Sequence, residues 1–347
     1  LLLAVDVLLT AYASLYPLDG WRAHGLSPLA FLGMGWPRFV VNFDALANVL
    51  GYVPYGFLCV AALQPRRPGL AALGITLLSA AALSLGLEAA QSYLPARTPS
   101  TLDLLCNTGG AAVGALAGLR LAPWLLGAGP LQRLRAAVFL PGTEVDLGLV
   151  LLALWLFIQL NPATLLFGAG DLRDLIGPLE GRGRSPETFI LVEALTAAAN
   201  LVTVALLLSA LTAPGKPIRF MFMALVGIAL VVRAAAHVIL MRAELLLAWL
   251  TPGAQLGLLA GLAVAAAAVA LPRTARLALA AVLLLAATVF VNLAPANPYL
   301  AASLKVWRQG HFLNFNGLTR LVAAAWPFLA LAYLMVLAAR RGREPQG

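Results

Sequence analysis

Residues 70–94 read LAALGITLLSAAALSLGLEAAQSYL. For its first 18 residues this stretch carries no charge, and Glu88 is the only ionisable carboxylate or base within it. At ~1.5 Å per residue it is long enough to cross a ~30 Å hydrocarbon core as a helix. It lacks the strict alternation of a barrel strand, so its backbone amides must pair within the segment itself, which only a helix achieves.

The same kind of run recurs along the chain. Hydrophobic residues make up 62% of the 347 and charged residues only 11%. A water-facing surface needs about 25% charged residues, so lipid must be the solvent for most of this chain. The fold class read from this pattern is all-α, a polytopic integral membrane helix bundle of about ten transmembrane helices. They fall at 1–17, 46–63, 70–94, 102–121, 147–167, 189–211, 220–240, 245–271, 277–294 and 318–338. The first is short, contains Asp6 and opens on Leu rather than Met. It is read as a crossing that starts upstream of Leu1. A cleaved signal peptide is the rival reading, but no basic leading region is visible and Tyr16, Pro17 and Asp19 make a poor cleavage site.

The expected localisation is the cell membrane, multi-pass, with both termini cytoplasmic. The short loops around Arg66 and Arg67, Lys216 and Arg219, and Arg273 and Arg276 are purely basic and belong inside. On the other side Arg173, Arg182 and Arg184 sit among acids, and Arg97 and His311 fall there too. In raw count the inner side holds only 12 of the 23 Lys+Arg, so distribution carries more than number. The net charge of +9 fits basic loops against anionic headgroups, with no nucleic-acid partner. Membrane lipid is the expected partner. No cofactor motif and no metal-ligand spacing is present, and His24, His237 and His311 stand apart. Cys59 and Cys106 fall inside helices and define no disulfide framework.

Three domains of sequence follow: 1–122, a four-helix membrane domain; 123–146, a polar-flanked linker with Pro123, Pro130, Arg133, Arg135, Pro141 and Gly142; and 147–347, a six-helix membrane region. The last region holds a possible degenerate repeat of the opening unit. Trp21-Arg22 followed by Asn42-Phe43-Asp44-Ala45-Leu46 and Pro54 is echoed by Trp307-Arg308, Asn314-Phe315-Asn316-Gly317-Leu318 and Pro327. Duplication explains this, as membrane proteins often contain repeats; chance recurrence of a short string is the alternative.

The residues that carry chemistry cluster in the first domain. Asp44 and Asn48 are spaced i,i+4, Glu88 and Gln91 i,i+3, and Asp103 and Asn107 i,i+4, so each pair shares a helix face. In the topology above all three pairs, with Arg97, fall at the outer membrane side. A carboxylate inside a crossing costs at least ~2.5–3.5 kcal/mol at the centre, so one that persists there usually has a task. The expected binding residues are Asp44, Asn48, Glu88, Gln91, Arg97, Asp103 and Asn107, converging on one outward-facing polar pocket. Glu88 is the candidate catalytic residue, because it stands a turn inside an apolar run where its own helix needs no cap. For Asp103 a local role competes, since Ser100-Thr101-Leu102-Asp103 fits a capping box, and Asp44 could likewise serve as a helix cap. Gly110, Gly114 and Gly118 form a small-xxx-small stripe suited to close helix packing. Gly51, Pro54 and Gly56 would bend the second helix. In the second half Arg233 and His237 share a face, close to Arg242 and Glu244.

These ordered motifs resemble the VanZ-like family, small membrane proteins named for a member that lowers susceptibility to the glycopeptide teicoplanin. The resemblance rests on Asp44-x3-Asn48, the Gly51/Pro54/Gly56 helix, Glu88-x2-Gln91, Arg97, and Asp103-x3-Asn107 followed by Gly110 and Gly114. It covers roughly residues 1–120, and at the later echo Asn316 and Arg320 replace Asp44 and Asn48. The resemblance implies a cell-envelope membrane protein with a link to teicoplanin susceptibility in some relatives. The function expected from the residues is an outer acidic/amide/Arg pocket that binds a polar or lipid-linked envelope component, such as a lipid-linked envelope precursor. A membrane-embedded enzyme acting on a lipid headgroup, or a transporter or flippase, are the alternatives. No Ser/His/Asp, Cys/His or metal signature accompanies the acids, which ranks enzyme below binding.

Overall fold

The computed structural model describes all residues except 24, 26, 37–41, 65, 127–128, 174–185, 242, 296, 300–312 and 342–347. His24, Arg182, Arg184, Arg242, Trp307, Arg308 and His311, each part of the sequence reading, lie outside the described residues. The chain divides into two compact units, 1–137 and 138–347. Among the described residues there is no strand, and the sole β-type pairing is an isolated bridge between Phe139 and Thr212.

The first unit contains α1 (Leu2–Leu15), α2 (Asn42–Leu63), α3 (Leu70–Gln91), α4 (Thr101–Leu126) and most of α5 (Pro130–Val138). The stretch 123–146, read above as a linker, is thus largely helical: it spans the end of α4, all of α5 and the start of the next helix. Helix α5 has the outline of an amphipathic surface segment, with Arg133 and Arg135 on it and no buried residue. Pro130 opens α5 rather than interrupting it, because proline at the first helical turn loses no hydrogen bond.

The second unit contains α6 (Thr143–Ile158), α7 (Pro186–Leu211), α8 (Ile218–Leu240), α9 (Pro252–Ala268), α10 (Arg273–Leu293) and α11 (Leu313–Arg341). Seven described helices are long and apolar enough to cross a membrane: α2, α3, α4, α7, α8, α10 and α11. Of the ten expected crossings the remaining three correspond to shorter helices, α1 with 14 residues, α6 with 16 and α9 with 17. The chain is a multi-pass membrane bundle. Leu50, Leu78, Val113 and Leu116 are exposed along α2, α3 and α4, which only lipid makes tolerable at this density.

Helices α2 and α4 make the most extensive pairing in the first unit. The cause is the small-residue stripe. A Cβ at Gly110 would lie 2.0 Å from the Val49 carbonyl oxygen, one at Gly114 2.0 Å from that of Val53, and one at Gly56 2.0 Å from that of Ala111. The two backbones therefore touch directly, the arrangement that lets helices associate where lipid removes any hydrophobic drive. Gln64 Nε2 closes the far end with a 3.1 Å hydrogen bond to Leu119 O. Helix α2 runs through Pro54 without ending.

In the second unit α7 is the central element. Two thirds of its apolar window (67%) is buried, against 28% for α8 and α10. Gly253, Gly257 and Gly261 on α9 repeat the close-packing device against Ile190, Ala194 and Ala198 of α7. The sequence echo also differs in three dimensions. Twelve residues separate Asn42 from Pro54 and thirteen separate Asn314 from Pro327, so the two prolines sit about 100° apart in helical register. Asp44 is exposed, whereas its counterpart Asn316 is buried.

Candidate functional site

The polar constellation gathers at one end of the first unit, where α1 ends, α2 begins, α3 ends and α4 begins. Its organising contact is a substitution in a familiar motif. In a capping box the acid at the fourth position takes the backbone N–H of the first. Here the Ser100 N–H instead donates to Glu88 Oε2 at 2.9 Å, across from α3. The Ser100 hydroxyl accepts from Leu102 N at 3.1 Å, so the α4 start is capped without Asp103. Asp103 is released, and its carboxylate lies within hydrogen-bonding reach of the Asn48 side chain and in the field of Asp44 and Arg97. Glu88 itself is only 3% exposed.

Glu88 therefore does have a capping role, on a neighbouring helix. Its own helix needs no cap at that position, which is why periodicity alone removes that explanation. Neither role excludes the other: one carboxylate oxygen holds α4.

Arg97 also has a structural partner. Its Nε donates to Tyr16 O at 2.8 Å, and its Nη2 donates to Tyr16 O and to Ala13 O, the latter at 3.2 Å. Helix α1 ends there with no basic residue in its last turn. A guanidinium forked over its terminal carbonyls supplies both the missing donors and the positive charge that a helix C-terminus favours. Burial pulls the Arg97 pKa below its ordinary value, and the nearby Glu88 and Asp103 oppose that pull in part.

Gln91 points elsewhere. Its Nε2 donates to Ser14 O at 2.9 Å, tying α3 to the end of α1 instead of joining the carboxylates. Asn107 lies one turn below Asp103, 5% exposed, and donates through Nδ2 to Ser84 Oγ at 2.9 Å, leaving Oδ1 without a partner. Asp44 is exposed. The structure thus brings Asp44, Asn48, Glu88, Arg97 and Asp103 together, sets Asn107 beneath them, and turns Gln91 aside.

Three further residues belong here. Ser84 and Tyr52 are buried one turn below the carboxylates, and Tyr52 lies beside Ser84 and in the field of Glu88 and Asp6. The Tyr52 hydroxyl is within reach of Ser84 but makes no hydrogen bond of good geometry, and Asp6 Oδ2 is buried without a partner. Asp6 carried a readable signal, a carboxylate inside an apolar run. Tyr52 is i,i+4 from Asn48 and Ser84 i,i+4 from Glu88, so continuing each polar face by one turn would have found them.

A second polar cluster lies inside the second unit. Arg233, 2% exposed, donates to Asn161 O at 2.5 Å, to Thr164 Oγ1 at 2.9 Å and to Thr164 O. Glu193, also 2% exposed, accepts from the Thr251 hydroxyl ahead of α9 and lies in the field of Arg233. His237 Nδ1 is 3.0 Å from Arg233 O, its helical neighbour four residues back. Near the helix ends Asp171 and Arg173 pair at 2.6 Å, and Arg173 Nη1 donates to Ala294 O at 2.7 Å. Burial raises the Asp171 pKa, but hydrogen bonds and charge from Arg173 outweigh it and leave the group below its ordinary value. Among the described residues no group of three or more His, Cys, Asp or Glu is arranged to hold a metal ion.

Comparison with known proteins adds one match. No curated protein and no solved structure matches the chain. The family model described as VanZ/LLP1 matches residues 3–122, a span that contains nearly all of α1 to α4 and every residue of the first polar constellation. Residues 3–122 are thus similar to the VanZ/LLP1 family, within a longer all-helical, multi-pass membrane protein.

Proposed function

We propose that the polar end of the first unit is a binding site, facing the outer side of the cell membrane, for a polar or lipid-linked component of the cell envelope. The observation that carries this reading is the set of buried polar atoms left unsatisfied beneath the carboxylates: Asn107 Oδ1, the Tyr52 hydroxyl and Asp6 Oδ2. An unpaired buried polar group costs about 1–3 kcal/mol, and here three of them lie under a group of carboxylates of which Asp44 is exposed. The outer ring of Asp44, Asn48 and Asp103 offers an entrance of matching polarity. By family resemblance, occupancy of this site lowers susceptibility to teicoplanin. Glu88 as general acid/base in a headgroup-processing enzyme is a second reading, and its burial beside Asp103 and Arg97 is what favours it.

The test is a susceptibility assay in a teicoplanin-sensitive host. Wild type, Asn107→Leu and Glu88→Gln are compared at matched membrane levels. Protection by wild type and loss in Asn107→Leu supports binding; unchanged protection in both variants refutes it. In proteoliposomes, a new lipid product formed by wild type and lost in Glu88→Gln would replace binding by catalysis.

A further inference from the structure

The chemistry of the ligand follows from which hydrogen-bonding groups the first unit has already used. This rests on the reading of that end as a ligand site. An anionic group such as phosphate is held by converging N–H donors. Most of the N–H donors here are committed. Arg97 spends Nε and Nη2 on the carbonyls of Tyr16 and Ala13. The Ser100 N–H goes to Glu88 and the Leu102 N–H to Ser100. Asn107 gives its amide to Ser84, and the Asn48 side chain faces Asp103.

What is left over is mostly acceptor. Asn107 Oδ1 and Asp6 Oδ2 are oxygens that can only accept when Asp6 is ionised, and the Tyr52 hydroxyl can accept as well as donate. Tyr52 is 3% exposed and Asn107 5% exposed, so neither can be satisfied by bulk water. Charge points the same way. Asp44, Glu88 and Asp103 surround the entrance with Arg97 as the guanidinium among them. Arg22 lies at the same end, its backbone N–H donating to Tyr93 O, and Asp19 stands three residues before it, so this short stretch adds one charge of each sign. Among the described residues the site therefore carries an excess of carboxylate over cation, with a fourth carboxylate, Asp6, below.

We propose that this site takes a primary ammonium group, its three N–H donors meeting Asn107 Oδ1, the Tyr52 hydroxyl oxygen and the Asp6 carboxylate. Glu88 and Asp103 supply counter-charge along the entry path. An ammonium matches the three acceptors in number and removes the cost of carboxylates held without a counter-ion. Two envelope chemistries present such a group: an amino-alcohol lipid headgroup and an amino sugar. Neither is chosen over the other by the geometry.

The experiment uses the full-length protein purified in a neutral detergent and follows its thermal unfolding. Ethanolamine and glucosamine are titrated against their uncharged counterparts ethylene glycol and glucose, and against inorganic phosphate. The expected result is a saturable rise in melting temperature with one or both amines and none with the other three. The amine that acts at lower concentration identifies the source. Tyr52→Phe and Asp6→Asn preserve shape and should weaken the apparent affinity at least about 10-fold, as expected for loss of a single hydrogen bond to a charged group. Stabilisation by phosphate but by neither amine overturns the ligand class while leaving the site. Amine shifts that are equal in wild type and both variants overturn it too, as nonspecific. No response to any probe overturns the site reading together with the inference.

Discussion

Replacing Gly114 by Ala should unpair the first unit. A Cβ there would lie 2.0 Å from Val53 O, 2.8 Å from Val53 C and 3.0 Å from Phe57 N, all backbone atoms of α2. Ordinary contact begins at 3.4 Å, so the helices must separate by about 1.4 Å at this point. No side chain can rotate away to absorb it. A gap of 0.5–1 Å already forfeits a quarter to a half of each dispersion well, and the loss extends to Gly110 and Gly56, whose contacts are equally close. Overpacking strain of ~1–3 kcal/mol adds to this, so a total of about 3 kcal/mol or more is expected. Controls are built into the same unit. At Gly74 and Gly86 of α3 an added Cβ would meet nothing within 4 Å, and Ala there should be neutral or stabilising by ~0.5–1 kcal/mol. Gly118 is intermediate, its nearest atom being Phe57 O at 3.1 Å. Steric-trapping unfolding in bicelles would rank Ala variants at these four positions. Equal stability of Gly114→Ala and Gly86→Ala would refute the direct backbone packing of α2 on α4.

Glu88→Ala should cost about 1–3 kcal/mol by orphaning the Ser100 N–H, whereas Glu88→Gln keeps an acceptor and should cost less than about 1 kcal/mol; the same unfolding assay separates them. Arg97→Lys cannot fork over the Ala13 and Tyr16 carbonyls and should loosen the end of α1, read as faster amide exchange at residues 13–16 with α4 unaffected. The Asp171–Arg173 pair should make the second unit sensitive to acid in one direction. Because the folded Asp171 pKa lies below its ordinary value, the pair's contribution is complete above that ordinary value and is lost as pH falls through the lower folded one. Asp171→Asn should abolish this part of the acid limb in a pH series of melting temperatures. Finally, cysteines at 97 and 216 should be labelled by an impermeant reagent from opposite membrane sides; labelling from one side ends the expected topology.

Much of the fold is legible in the sequence because lipid imposes a simple rule: long apolar runs must be helices. Seven crossings follow from length and composition together. Helices α1, α6 and α9 are harder to bound, since an apolar run continues past the helix when loops are also apolar. Thus the run 147–167 contains a helix that stops at Ile158, followed by the turns around Asn161 and Thr164 that hold Arg233. The stretch 123–146 reads as a linker because it is dense in proline and glycine, yet several of these stand at helix starts and ends, where they are compatible with helix. Gly110, Gly114 and Gly118 are legible because period-four glycine in an apolar helix has few other uses. Gly253, Gly257 and Gly261 carry the same signal.

The site divides along a different line. Pairs at i,i+3 and i,i+4 place Asp44, Asn48, Glu88, Asp103 and Asn107 on their faces, because helical geometry is local. What each face meets is not local. Gln91 shares its face with Glu88 within a turn, yet the two side chains go to different helices, one to Ser14 O on α1 and one to the start of α4. Glu88 fixes α4 to α3, Arg97 and Gln91 fix α1 to the end of α3, and Asn107 fixes α4 to Ser84 of α3. Each of these bonds therefore passes through α3 or the loop after it. Helix α2 is held along the glycine stripe by backbone packing, with Tyr55 donating to Ser79 of α3 and Gln64 to Leu119 O of α4 nearer its other end, and it contributes Asp44, Asn48 and Tyr52. A change in the α2–α4 separation would thus move three of the site's polar groups relative to the rest without breaking the hydrogen bonds made by Glu88, Gln91, Arg97 or Asn107. Small substitutions on the glycine stripe, far from Asp6 and Glu88 in sequence, should for that reason weaken ligand binding before they unfold the unit.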